Sequence, residues 1–284
     1  MTRTDPRRGA VLVAVLWSIS LLAALAMAAS VTFRSFTGVM SVDRHRVERE
    51  ALITAGLELA AGAMLNGTTQ LRDLELTVNL ATGSVRARLS DEGGRIDINK
   101  APPQVLAALL RSVGAPPATA EIAAKAIIDQ RGDLDPRGSA TAARRIPVVA
   151  TTHEQALASV GRITAMRAQW LGAIAPLTTI YGSETVNPLT APPGVIAALP
   201  GVDAAKLQAF LAERRNVSAD ASRLAQMLGP AQRFVAVTPQ RVAAVDLMAT
   251  ATEGQAAAAR AVITVLPQDS EPYRVLVFTP LPAR

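Results

Sequence analysis

Three sets of side chains in this 284-residue chain raise the question of chemistry. The first is Arg8-Gly9-Ala10, which stands directly ahead of a run with no charged side chain from Ala10 to Phe33. A glycine there lets a peptidase fit the scissile backbone closely, because no side chain is in the way. Cutting after Gly9 would leave Ala10 as the new amino terminus and retain the apolar segment. Two other readings compete: a secretory signal cut after Ala26-Met27-Ala28, and an uncut membrane anchor. The second set is Asp129, Asp133 and Asp135 in DQRGDLD. These carboxylates could offer hard oxygen ligands to calcium, or serve only as turn formers. The third is His45 and His153, which have no glutamate at metalloprotease spacing and no nucleophile elbow near them. With no cysteine in the chain, disulfides and thiolate chemistry drop out as well. The residues point to a protein that is not an enzyme.

The elements that carry these residues begin with the apolar run. As a helix, residues 10–33 would cover about 36 Å, enough for a bilayer core of about 30 Å. Arg3, Arg7 and Arg8 would keep the amino terminus in the cytoplasm, against the weaker pull of Arg34, Arg44, Arg46 and Arg49 beyond the run. The helical pattern then continues: Val39, Val42, Val47, Leu52, Ala55 and Leu59 form a stripe, so one helix is expected from about 10 to 65, stopped by Asn66-Gly67. Alternating segments at 74–80 and 85–89, with a turn at 82–84, read as strands, and so do 234–237, 241–250, 258–266 and 273–279. An antiparallel sheet packed on the long helix and split in sequence is expected. The net charge of +6 is compatible with a nucleic-acid or anionic-lipid partner. The arginines are scattered, however, and no nucleic acid is expected.

Between the strand groups the sequence repeats itself. INKAPPQVLAALLRSVG (98–114) and VNPLTAPPGVIAALPGV (186–202) each place an asparagine before Ala-Pro-Pro, then an apolar turn and a glycine, with Asn99 matched to Asn187. Each is followed by a helical run with a basic end, 120–131 and 204–215. Proline is tolerated in the first helical turn, where its missing N–H would have had no partner. Two helix-turn-helix units resembling helix-hairpin-helix motifs are expected, and LPGVD at 199–203 is the sharper of the two turns. In DNA-binding proteins such turns offer backbone amides to phosphate; in the first unit SVGAPPA lacks the donors for that. Ser218-Ala219-Asp220 and Thr151-Thr152-His153-Glu154 read as helix starts with Ser or Thr as N-cap. The second opens a helix through Val160, followed by another through Leu171.

The order RRG, long apolar helix, DEGGRIDINKAPPQVLAALL, AKAIIDQRGDLD, a second hairpin and a closing PYRVLVF resembles the GspK family, the large minor pseudopilins of type II secretion systems, over essentially the whole chain. The resemblance implies an α+β fold: a pilin-like long amino-terminal helix on an antiparallel sheet, with a large all-helical insertion containing two helix-hairpin-helix-like repeats. It divides the chain into a prepilin leader (1–9), a transmembrane and assembly helix (10–33), an amphipathic helix with the first strands (34–90), the helical insertion (91–230) and the remaining strands (231–284). It makes Gly9 and Ala10 the site of prepilin peptidase, with methylation of Ala10. The fifth residue after the cut is Ala14, where most pilins and pseudopilins carry glutamate; GspK-like proteins share this lack, which fits a subunit with nothing above it. Some of them bind calcium on the insertion, but the acidic and aromatic group that often follows is replaced here by serine and alanine, so only Asp129, Asp133 and Asp135 remain as candidate ligands.

The implied function is that of a minor pseudopilin at the pseudopilus tip, initiating assembly and supporting secretion across the outer membrane. Its implied place is the bacterial inner membrane, with one pass and a periplasmic carboxy-terminal domain. Its partners would be minor pseudopilins resembling GspI and GspJ. The alternative is a membrane-tethered periplasmic DNA-binding helix-hairpin-helix protein.

Overall fold

The computed structural model describes residues 6–66, 74–132, 152–216, 220–237, 241–252 and 254–282; the side chains of 6–12 and 29–43 lie outside that description. The fold is α+β. Helix α1 (Pro6–Leu65) is 60 residues long, about 90 Å at 1.5 Å per residue. No proline follows Pro6 until Pro102, so nothing breaks the ladder. It ends where Asn66 N donates to Gly62 O at 3.1 Å.

The carboxy-terminal part of α1 buries Leu52, Ile53, Leu57, Ala60, Ala61 and Met64 against a five-stranded antiparallel sheet. The strands are β1 (Leu74–Leu80), β2 (Gly83–Asp91), β5 (Val242–Ala251), β6 (Ala256–Val265) and β7 (Tyr273–Leu281), in the spatial order β1-β2-β5-β6-β7. The short strands β3 and β4 lie elsewhere, as described below. Every second residue turns toward the helix: Val85, Ala87 and Leu89 on β2, Val245, Leu247 and Ala249 on β5, Ala261 and Ile263 on β6. Many of these are alanines, and the helix sits close. A Cβ built on Gly56 would lie 2.6 Å from Leu247 Cδ2 and 2.8 Å from Val85 Cγ2. Tyr273 on β7 donates to Glu58 Oε1 on α1 at 3.0 Å, tying the last strand to the same helix.

β2 and β5 are neighbours, with Asp91 opposite Ala243, so everything between them leaves the sheet and returns to the same place. That excursion is a helical lobe with its own apolar core around Trp170, Phe210, Leu106, Leu110, Ile196 and Leu224. It holds two repeats. The first runs from β3 (Ile96–Asp97) through α2 (Pro103–Ser112), α3 (Pro117–Gly132), α4 (His153–Gly161) and α5 (Ala168–Ile174) to a 3-10 turn and β4 (Thr178–Thr179), which pairs in parallel with β3. The second starts at Val186 and runs through α6 (Pro193–Ala197), α7 (Ala204–Glu213) and α8 (Ala221–Met227) to a 3-10 turn, then closes by a parallel bridge from Val235 back to Val186.

Some local expectations change. Residues 234–237 are not a strand of the sheet: Phe234 ends the 3-10 turn in the lobe core, and Val235 makes the closing bridge. α8 is capped by Asp220, whose carboxylate accepts from Ser222 N at 2.9 Å, while Ser218 lies outside the described residues. Thr152 caps α4 with a reciprocal box to Gln155, as its sequence suggests.

The close approach at Gly56 gives a paired test. A methyl group added at Gly62 would meet nothing within 4 Å, so Gly62→Ala is expected to add about 0.5–1 kcal/mol through helix propensity. Gly56→Ala brings the same propensity gain but an overpacking cost of about 1–3 kcal/mol, giving a net loss. Thermal unfolding of the two variants measures this, and the opposite order would mean that α1 does not meet the sheet at Gly56.

Candidate functional site

The amino-terminal part of α1 carries the residues expected to serve processing and assembly. Gly9 and Ala10 lie within the helix, in the stretch whose side chains are not described. Ala14 is exposed, and its carbonyl accepts from Ser18 Oγ at 2.9 Å. Around it Val13, Leu16, Trp17, Ile19, Leu22 and Met27 are all more than half exposed, so this part of the helix is apolar on every side. Of the expected 10–33 span, the side chains of 10–12 and 29–33 lie outside the described residues. Among the described residues no helix is long and apolar enough to cross a membrane.

Asp129 is exposed on the last turn of α3, while Asp133 and Asp135 lie outside the described residues. Among the described residues no group of three or more His, Asp or Glu side chains is placed to hold a metal ion. His45 sits on α1 with Nδ1 3.8 Å from Glu48 Oε2. His153 opens α4, its Nε2 3.0 Å from Thr178 Oγ1, which itself donates to Ile174 O. Burial, then the nearby Arg95, push the His153 pKa down. The two histidines belong to different elements and form no common site.

The polar residues that do come together are at the foot of the lobe, in DEGGRID. Asp91 ends β2, and its Oδ1 accepts from Gly93 N at 2.9 Å. Its Oδ2 accepts from Thr190 Oγ1 at 2.6 Å and from Asn187 Nδ2 at 3.2 Å. Glu92, almost fully buried, accepts from Thr179 Oγ1 and pairs with Arg95 Nη1 at 3.1 Å. Burial pushes both carboxyls above their ordinary range; the hydroxyl, amide and Arg95 contacts pull the other way. Gly94 lies against the backbone of the second repeat, where a Cβ would come within 2.9 Å of Thr190 C.

The same backbone device opens both repeats. Asp97 Oδ1 accepts from Asn99 N at 2.7 Å and Lys100 N at 3.1 Å; Asn187 Oδ1 accepts from Leu189 N at 3.1 Å. Four residues on, Ala101 N donates to Asp97 O and Ala191 N to Asn187 O. The partner of Asn187 in the first repeat is therefore Asp97, not Asn99, because either Asx side chain can build the turn. A second device is not visible in the sequence beyond the basic ends of the helical runs. Arg131 Nη1, from the end of α3, donates to Ala101 O at 2.8 Å, and Arg214 Nη1, from the end of α7, donates to Ala191 O at 2.6 Å and Pro188 O at 3.1 Å. Each arginine thus ties the close of a helix pair to the Ala-Pro-Pro entrance. Burial pulls the Arg131 pKa down to about 10, which leaves it charged at neutral pH.

The sharper hairpin turn is poorly suited to phosphate. Gly201 adopts φ +82°, as a turn glycine does, but α7 begins with Asp203, whose carboxylate accepts from Lys206 N at 2.8 Å. That amide holds Asp203 below its ordinary pKa, so a negative charge occupies the helix amino terminus. Lys206 Nζ is itself turned to Gly201 O at 3.1 Å and Asp203 Oδ2 at 3.2 Å.

The fold defined here, a long helix on an antiparallel sheet interrupted by a helical lobe, has a counterpart among solved structures. It is similar to a chain in the crystal structure of the GspK–GspI–GspJ complex from the type 2 secretion system of enterotoxigenic Escherichia coli, with a TM-score of 0.53 and 15% identity over 82% of this chain and 94% of that one. At this identity the likeness is one of fold. No protein-family model and no curated protein sequence matches the chain.

The Asp97–Asn187 equivalence is directly testable. Asp97 is fully buried, its Oδ2 has no hydrogen-bond partner, and Lys100 Nζ stands 3.7 Å away. Burial raises its pKa. A raised folded pKa means that stability is present below the unfolded value of about 4 and lost as pH rises through the folded value. Asp97→Asn keeps the turn and removes that loss, so it is expected within about 1 kcal/mol of the native chain and to gain on it as pH rises from about 4 to 7. Asn187→Asp sets a second carboxylate against Asp91 and is expected to cost about 3–5 kcal/mol. Chemical denaturation across pH measures both, and a cost of Asp97→Asn as large as that of Asn187→Asp would overturn the equivalence.

Proposed function

We propose that this chain is a minor pseudopilin of the GspK type, which caps the tip of a type II secretion pseudopilus and starts its assembly. The observation that carries this reading is the likeness of fold over 82% of the chain to a chain of a complex of GspK, GspI and GspJ. In this reading prepilin peptidase cuts between Gly9 and Ala10, and the apolar run from residue 10 to 33 inserts in the inner membrane with the lobe and sheet in the periplasm. The partners are two further minor pseudopilins, similar to GspI and GspJ, which set their own helices beside α1. Exposed apolar side chains all around residues 13–28 support such a role, since they are favourable only against lipid or other helices.

Two features support the tip position. A lobe of this size on a subunit within a shaft would collide with the subunit stacked above it. Ala14 provides no carboxylate for a neighbouring terminal amine, and a subunit with nothing above it needs none. The role is structural: the chain supplies shape and helix contacts rather than a reaction.

Two substitutions test the reading. Gly9→Leu is expected to leave the protein inserted, uncut and inactive in secretion, whereas mass spectrometry showing a mature start at Ala29 or Ser30 would refute it. Ala14→Glu is expected to bring no gain in pseudopilus number, and to cost up to about 2.5–3.5 kcal/mol of insertion free energy if the position is at mid-membrane. Improved assembly with Ala14→Glu would place the subunit within the shaft instead.

A further inference from the structure

We propose that Asp91 and Glu92 act as a two-pronged clamp that fixes the orientation of the helical lobe on the sheet, as distinct from the folding of either part. The apolar cores of the lobe and of the α1–sheet layer share no residue. Among the described residues, two consecutive side chains at the end of β2 reach from the sheet into the lobe by hydrogen bonds. Asp91 grips the opening of the second repeat through Thr190 and Asn187, and Glu92 grips the closing strand of the first repeat through Thr179. Each prong therefore holds a different repeat, and a lobe held at two separate points cannot swing about either one. Arg260 on β6 adds attraction toward Glu92 from the sheet side. Gly94 completes the fit by letting the exit segment lie directly on the backbone of Thr190 and Ala191.

The energetics favour placement over stability as the reason for these residues. Burying two carboxylates is unfavourable, as their raised pKa values reflect, and apolar side chains at the same points would join the cores more firmly. Apolar contacts are non-directional, however, while a carboxylate accepting from three fixed donors admits one arrangement. Beside the clamp lies a cleft of about 380 Å³, with Thr152, His153 and Tyr181 of the lobe on one wall and Asp246, Arg260 and Phe278 of the sheet on the other. It is the space into which a released lobe would move. In the minor pseudopilin reading, on which this functional consequence rests, the clamp presents the lobe at a set angle to the partner subunits.

The native chain has no cysteine, so labels can be placed at will. Ile122 on α3 and Met248 on β5 are exposed, and Ile122→Cys with Met248→Cys gives one spin label on each body. In the full-length protein in detergent, pulsed dipolar spectroscopy is expected to give one narrow distance distribution. Asp91→Asn with Glu92→Gln should broaden or shift it, with circular dichroism and unfolding of both cores preserved. Thr179→Val with Thr190→Val, which removes the hydroxyls on the lobe side and leaves the carboxylates, should broaden it less. An unchanged narrow distribution in both folded double variants overturns the proposal. So does unfolding of the lobe in both, since the carboxylates would then serve folding rather than orientation. The distance measurement needs no secretion apparatus, so its failure leaves the proposed function standing, and a failed secretion assay with the expected distances would count against that function alone.

Discussion

The side-by-side pairing of β2 with β5 is the constraint from which the rest of the architecture follows. Asp91 and Ala243 face each other across a ladder that is continuous from Gly83 to Asp91, so the chain must leave and return at points one strand spacing apart, about 4.8 Å. The segment between can contribute nothing to the sheet and must fold on its own account. Closing such a long excursion costs little more than closing a short one, because the entropy grows only with the logarithm of length. The requirement is instead that the excursion have an apolar core of its own and bring its ends together. Both repeats satisfy it in the same way, each ending in a parallel bridge to its own beginning.

That shared solution depends on a few atoms per repeat. An Asx side chain turns the backbone, Ala-Pro-Pro enters a helix in an extended conformation that the prolines enforce, and an arginine from the end of the next helix or helix pair holds the alanine carbonyl. This carbonyl precedes a residue with no N–H and has no helical partner, so without the guanidinium it would be a buried acceptor left unmade. The second repeat keeps the device in a reduced body: α6 is only five residues, and Arg214 is pressed over the Phe210 ring at 5.2 Å. What is preserved between the repeats is the hydrogen-bonding frame, while helix lengths vary around it.

Local patterns are legible where one element decides its own structure. The strand at 74–80 and the pairs around 242–251 and 256–265 follow period-two alternation, and the prolines mark the starts of α2 and α6. The capping box at Thr152 and Gln155 is local in the same sense. What the sequence hides is long-range. Residues 234–237 have strand-forming side chains, but Phe234 is drawn into the lobe core, a packing choice that propensity does not contain. The register of the repeat is misleading because Asn99 is identical to Asn187 while Asp97 is its physical equivalent. Asp91 and Glu92 look like ordinary surface acids in sequence, and only the fold shows which hydroxyls close over them, 87 to 99 residues away.

Helix α1 meets two different demands along one continuous ladder. Over residues 52–64 it is held by a sheet face of small side chains and by the contact at Gly56, so its stability there is tertiary. Between the two regions Arg44–Glu48 and Arg46–Glu50 pair at i, i+4, at 2.9 and 2.8 Å, but such solvent-screened pairs contribute little. They cannot hold up an isolated helix of that length. Farther out, the side chains at 13–28 point outward into whatever surrounds the helix, and the Ser18 hydroxyl is satisfied by the carbonyl of Ala14 within the same helix. In the proposed role this is what a low-dielectric environment asks of residues 13–28. In water the same surface would be a liability, since its large apolar side chains are left more than half exposed by the rest of the described chain. Residues 13–28 of α1 therefore present an apolar surface that the rest of the described chain does not cover, while the apolar side chains of 52–64 are covered by the sheet.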